Sequence, residues 1–378
     1  MTSHRLARLA ASLLVLAVPA CRAGAPPEIR IGVLATYTGP YAEVSGIPTR
    51  HGAQLAVSQA GDVDVGGHRY RVTLIERDFP DRGDAAASAA RALINQDQVA
   101  VLIGPQFSRH AVPVAVVAEN AHVPMISPMS SSPATTAGKR FVFRLAFLDD
   151  VQGSVLARFA TEDLRARTGA VLYDVTSEYS RVLAERFRDA FTAHGGRVVA
   201  FEPYTADRVQ DVTAQLERIR AAAPDVLLLP NFPDAVAQHV PLIVRLGVRA
   251  TLLGSDSWDP LTLPQLPPGQ EAFVTGQWRP DVPSAAATRF TDLHRRMYGE
   301  APRATAAMTY DAVGVVLAAI RRAGSLDPEA VRNAIAATQG YAGASGTLDF
   351  GGRGDPRREV AVARLRDGAL ATVRVMQP

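Results

Sequence analysis

The sequence predicts an α/β fold of two doubly wound parallel-sheet lobes, and three observations carry that prediction. Short runs rich in Ile, Val and Leu alternate with helical stretches of about 10–15 residues, the pattern of βαβ units whose parallel strands are covered on both faces. The alternation runs once over residues 28–126 and again over 152–253. A chain of 378 residues with 47% hydrophobic and 20% charged side chains suits about two globular domains. That composition excludes wholesale disorder, collagen-like repeats and a polytopic membrane protein.

The first series opens with an Ile- and Val-rich strand over 28–35, which ends at the turn of Gly39 and Pro40. A helix over 46–60, a strand over 68–76 and an Ala-rich helix over 82–95 follow. The buried-type strand over 99–103 is closed by Gly104 and Pro105. A helix over 108–120 and a short strand over 123–126 complete the series. The second series reads as helices over 152–167, 180–194, 209–222 and 234–246, with strands over 169–173, 197–201, 225–229 and 251–253. Helical spacing then covers 284–298, 304–323 and 327–338. The end changes character, with strands expected over 347–350, 359–365 and 371–375. Gly-rich turns join them, and Arg366, Asp367 and Gly368 are a hairpin signal.

The N-terminus reads as an export signal. Arg5 and Arg8 precede an apolar run over 9–20, too short for a spanning helix of about 20 residues. Ala20 then precedes Cys21, the one cysteine in the chain. Val18, Pro19, Ala20 and Cys21 resemble the lipobox of bacterial lipoproteins, in which the cysteine becomes the lipidated first residue. Simple cleavage after Ala20 is the alternative. Residues 1–20 are therefore expected to be removed, 21–27 to form a tether, and the mature chain to be exported to the periplasm or cell surface, touching membrane only through a lipid anchor.

Several chemistries are disfavoured. One cysteine excludes a disulfide framework and a Cys-based metal site. Lys+Arg 40 against Asp+Glu 37 leaves +3, so no basic face for nucleic acid is implied. No G-x-S-x-G, G-x-G-x-x-G or P-loop pattern is present, and no histidine pair has metal spacing. No enzyme, metal or cofactor is expected. His110 and His122 read as surface or packing residues, and the tripeptide Arg353, Gly354, Asp355 as a turn.

Ligands of doubly wound sheets bind outside the carboxyl ends of strands. Three strand ends carry useful groups. The strand over 99–103 leads to Gln106, Ser108 and Arg109. Ser108 is a plausible N-cap, and a helix N-terminus binds carboxylates through its free N–H groups. Arg109 in the first turn is mildly unfavourable unless an anion is near; the plainer reading is a solvated arginine. The strand over 123–126 leads to Ser127, Ser130, Ser131 and Ser132, a polar turn or a set of ligand donors. The strand over 251–253 leads to Asp256, either the cap of a helix beginning near Pro260 or an acceptor for a cation. Donors on one lobe facing an acceptor on the other suit a zwitterion such as an amino acid.

IRIGVLATYTGPYAE (29–43), VLIGPQFS (101–108), VPMISP (123–128), FVFRLAFLDDVQG (141–153) and LLGSD (252–256), in this order and spacing, resemble the branched-chain amino-acid-binding proteins of ABC transporters, of type I periplasmic binding fold. The resemblance implies a three-strand hinge, with crossovers near residues 144–148, 275–278 and 346–349. Lobe one would then span 28–146 plus 279–346, and lobe two 147–276 plus 349–378. It implies Ser108, Ser130 and Ser131 as contacts for the ligand carboxylate and ammonium, Asp256 as the ammonium acceptor, and Phe232 and Tyr179 as aromatic contacts. Val44, Gln106 and Arg109 depart from an aliphatic site and imply a larger or more polar ligand side chain. The implied function is capture of an amino acid or similar zwitterion or carboxylate by a monomer, which delivers it to ABC permease subunits. A sensor of the same fold, binding amides or aromatic acids, is the alternative.

Overall fold

The computed structural model describes residues 27–377 except 207–210, 259–265, 267–269, 283 and 367–368. The expected signal, Cys21, the helix start near Pro260 and the turn residues Asp367 and Gly368 lie outside the described residues.

The first sheet contains β1 (Glu28–Leu34), β2 (Val63–Val65), β3 (His68–Arg77), β4 (Val101–Ile103), β5 (Met125–Ser127) and β6 (Val142–Arg144), in the order β2-β3-β1-β4-β5-β6. Only β2 runs antiparallel, against β3. The helices beside it are α1 (Ile47–Ala60), α2 (Gly83–Asn95) and α3 (Ser108–Asn120). Ile31, Gly32, Val33 and Leu34 of β1 are buried in succession, so this end of the strand is covered on both faces.

The chain then leaves this sheet. α4 (Asp149–Glu162), β7 (Thr168–Asp174), α5 (Glu178–Ala193), β8 (Arg197–Tyr204), α6 (Thr213–Ala222), β9 (Val226–Leu229), α7 (Pro233–Arg245), β10 (Thr251–Gly254) and β11 (Ala272–Gly276) build a second sheet. After β11 the chain returns to the first lobe as α8 (Ala285–Tyr298), α9 (Ala304–Ala323) and α10 (Pro328–Ala336). A two-stranded ribbon, β12 (Tyr341–Gly343) with β13 (Gly346–Leu348), precedes the last passage. β14 (Val360–Arg366) and β15 (Ala369–Met376) then complete the second sheet, in the order β15-β14-β11-β10-β9-β7-β8. β14 is antiparallel to both β11 and β15. The chain thus passes between the lobes three times.

α9 has the length and composition to cross a membrane, yet its apolar face packs into the first core beside β1 and β4. Gly324, in the left-handed conformation, ends it, and Arg321 and Arg322 complement its C-terminal dipole.

Several elements differ from expectation. A π-helical turn, Ala42–Gly46, precedes α1. The strand expected over 347–350 is the shorter β13 of a separate ribbon. Asp355 sits in a turn, as expected, and its carboxylate accepts from the fully buried Arg144 at 2.6 Å and from Thr136 at 2.7 Å.

Candidate functional site

The strand ends of both sheets open on one cleft of about 820 Å³ between the lobes, within the usual range for small-molecule sites. β4 delivers the first group. After it the chain turns through Gly104 at φ +89°, where a Cβ would stand 2.2 Å from the carbonyl oxygen of Leu34. Only glycine fits so close an approach in that conformation. The turn brings Gln106, Phe107, Ser108 and Arg109 to the cleft wall.

Ser108 is not the cap expected from the sequence. Phe107 is extended and precedes α3, its side chain makes no capping bond, and Ser108 is the first helical residue. The Ser108 hydroxyl instead accepts from Ser130 Oγ at 3.0 Å and from the Ser132 N–H at 3.3 Å. Ser131 lies on the cleft wall, whereas Ser130 does not. Ser130 is 1% exposed; its hydroxyl is engaged by Ser108 and Thr135, and its carbonyl accepts from Arg144 at 2.9 Å. It therefore shapes the loop from behind.

Arg109 is not simply solvated. Its guanidinium donates to Asp81 at 2.7 and 2.9 Å and lies over the rings of Phe107, Tyr41 and Phe232. Phe232 and Tyr179 face it from lobe two, 5.3 Å apart, and Phe107 meets Phe232 edge-on at 5.9 Å across the cleft. The lobes also touch where Ser132 Oγ donates to Glu178 at 2.9 Å.

β10 delivers the acidic group. A Cβ on Gly254 would stand 2.4 Å from the Trp258 indole, so glycine lets the following turn fold back. Asp256 lies in that turn and on the cleft wall. One carboxylate oxygen accepts from the Tyr179 hydroxyl at 2.6 Å and the other from the Gln277 amide at 2.7 Å. Its N–H donates to Gln152 Oε1 at 2.8 Å, which also accepts from Thr275 at 2.5 Å. Burial pushes the Asp256 carboxyl up, and these donors oppose it. The neighbouring Asp149 carboxyl is pushed well up by burial and by the Asp256 charge. Asp149 Oδ2 has no hydrogen-bond partner among the described residues. The buried Tyr179 phenol is pushed up by burial and by Asp256, and remains a donor.

Gln152, Gln277 and Glu178 were not anticipated, because an amide or an exposed acid has no distinguishing sequence context. Asp256, Ser108, Ser131, Tyr179, Phe232, Gln106 and Arg109 all come together at the cleft.

The chain matches the family model described as periplasmic binding protein over residues 28–369. It is 25% identical over 358 residues to the leucine-, isoleucine-, valine-, threonine- and alanine-binding protein of Pseudomonas aeruginosa, covering 93% of each. It is 28% identical over 334 residues to a Leu/Ile/Val-binding protein of Rhizobium johnstonii, covering 87% of this chain and 89% of that one. Among solved structures, the leucine-binding protein LivK of Thermotoga maritima superposes with a TM-score of 0.83 at 30% identity, covering 93% of this chain and 99% of the other. LivJ of Streptococcus pneumoniae, in complex with isoleucine, gives 0.83 at 25% identity, covering 93% and 100%. With a family match that spans both lobes and all three passages between them, the chain belongs to the periplasmic binding protein family.

Proposed function

We propose that this protein captures a small amino acid between its lobes outside the cytoplasm and delivers it to an ABC importer. The observation that carries this reading is the placement of Asp256, half-buried and held by Tyr179 and Gln277, on the lobe-two wall of a cleft whose lobe-one wall holds Ser108, Ser131 and the start of α3. The N–H groups and hydroxyls suit a carboxylate, and Asp256 suits an ammonium. The named ligands of the relatives are amino acids of this kind. Tyr179 and Phe232 close over the ligand as the lobes come together, and the closed shape is what permease subunits recognise. Three or four charge-assisted hydrogen bonds of ~1.5–3 kcal/mol each, offset by ~4–15 kcal/mol for association and aided by apolar burial, fit micromolar binding. A lipid on Cys21 would hold the protein near those subunits.

A second reading, an aromatic carboxylate, is favoured by the rings of Tyr41, Phe107, Tyr179 and Phe232 around the cleft. A thermal-shift screen of amino acids, small amides and aromatic carboxylates separates the two, since a ligand of the native state raises the melting temperature. Stabilisation by amino acids supports capture of a zwitterion. Stabilisation by aromatic acids alone overturns it in favour of the second reading.

A further inference from the structure

Asp311 lies on α9, away from the cleft, and is fully buried. One turn of the chain satisfies its carboxylate. The N–H of Ala344 donates to Oδ1 at 2.8 Å, and the N–H and hydroxyl of Ser345 donate to Oδ2 at 2.7 and 2.5 Å. A Cβ on Gly343 would stand 2.4 Å from Oδ2, so glycine lets the turn come this close. Burial raises the carboxyl to about 6, opposed by these donors and by the charge of Arg358. The phenols of Tyr310 and Tyr341 are its other titratable neighbours, each pushed up by burial and by the Asp311 charge.

The turn at Ala344 and Ser345 leads into the third passage between the lobes, and its carbonyls bind the rest of the hinge. Trp278 Nε1, on the second passage, donates to the Ala344 carbonyl at 3.0 Å. Arg358 donates to the Ser345 carbonyl at 2.6 Å, to the Gln277 carbonyl at 2.8 Å and to Leu145, on the first passage, at 2.7 Å. The Gln277 side chain in turn donates to Asp256 at 2.7 Å. An unbroken run of hydrogen bonds thus connects an acid in the core of lobe one to the acid on the cleft wall of lobe two. Hydrogen bonds linked in this way polarise one another, so the charge at one end strengthens the links that follow. A buried carboxylate is unfavourable unless its donors are held in place, and here all three donors belong to the hinge turn.

We propose that Asp311 is a positioning residue for ligand capture: through the turn at Ala344 and Ser345 it fixes Trp278 and Arg358, and through them the Gln277 side chain that holds Asp256. This rests on the reading of the cleft as an amino-acid site and deepens it, since Asp311 touches no ligand and acts on affinity from behind the hinge.

Calorimetry on the full mature protein with leucine, isoleucine, valine, threonine and alanine tests this. Asp311→Asn keeps the size of the side chain and sets an N–H group against the donors of the turn. Affinity for the tightest binder of the set should fall about tenfold near pH 8. The loss should shrink to about twofold near pH 5, because the wild-type carboxyl itself takes up a proton below about 6. Asp149 and Asp256 titrate in both proteins and cancel from that ratio. A purely structural role would lower the unfolding free energy in denaturant and leave the affinity of the folded protein unchanged, and that result overturns the proposal. A loss of equal size at both pH values overturns it as well, while leaving amino-acid capture intact. Where Asp311→Asn does not fold, Ser345→Ala, which removes one of the donors, carries the test. About two- to threefold weaker binding near pH 8 is then expected, and unchanged affinity overturns the proposal. If none of the amino acids binds the wild-type protein, the reading of the cleft fails and the proposal with it.

Discussion

Gln277 donates its amide to Asp256 at 2.7 Å while its carbonyl oxygen accepts from the N–H of Phe147 at 3.1 Å. One side chain thus ties the acidic group of the cleft to two of the three passages between lobes. Asp256→Asn keeps an acceptor for Tyr179 and removes the charge. Affinity for a zwitterionic amino acid should fall by about 2–3 kcal/mol, on the order of a hundredfold. The matching 2-oxo acid, which has no ammonium, should lose little. Calorimetry on both compounds checks this, and an equal loss for the two would sink the ammonium role.

Arg358 joins all three passages. Its guanidinium donates to the carbonyls of Leu145, Gln277 and Ser345 at 2.7, 2.8 and 2.6 Å. Burial pulls it down to about 10, so it remains charged. Arg358→Met leaves three carbonyls without their donors and should destabilise the fold by ~3 kcal/mol or more. Denaturant unfolding measures this, and Arg358→Lys, which restores one or two donations, should recover part of the loss.

The hydrogen bond from Ser132 to Glu178 joins the two lobes beside the cleft. It exists only while the lobes are together, so it biases closure rather than the fold itself. Glu178→Ala should remove about 0.5–1 kcal/mol from the closed state, weakening ligand two- to fivefold. Small-angle scattering should show a more expanded average in the unliganded variant. Unchanged dimensions and affinity would mean the contact contributes nothing.

Much of this architecture is legible in the sequence. Val101, Leu102 and Ile103 form a fully buried run, and Gly104 with Pro105 announces its end. Asp256 after a Leu-Leu-Gly strand end is visible for the same reason. β2 and β6 are three residues each, too short for alternation to register. The direction of the Ser108 hydroxyl depends on Ser130, 22 positions away, and no local rule for helix caps contains that information. The roles of Gln152 and Gln277 arise from tertiary contacts with Asp256, 104 and 21 positions distant.

His239 supplies a pH dependence whose sign can be worked out. It is 2% exposed on α7, its ring packs edge-on against Tyr204 at 4.9 Å, and its Nδ1 has no hydrogen-bond partner among the described residues. Burial lowers it from 6.5 to about 4, against the weaker pull of Asp234. Its neutral form is favoured by folding, so its contribution is complete above the unfolded value of 6.5. As pH falls below that value the unfolded chain takes up a proton that the folded protein refuses, and stability declines until about pH 4. The span corresponds to ~3 kcal/mol. His239→Leu should therefore flatten the fall of unfolding free energy over this window, leaving the share from His110, which burial also lowers to about 4. A variant with the same slope as the wild-type protein would place the acid sensitivity elsewhere.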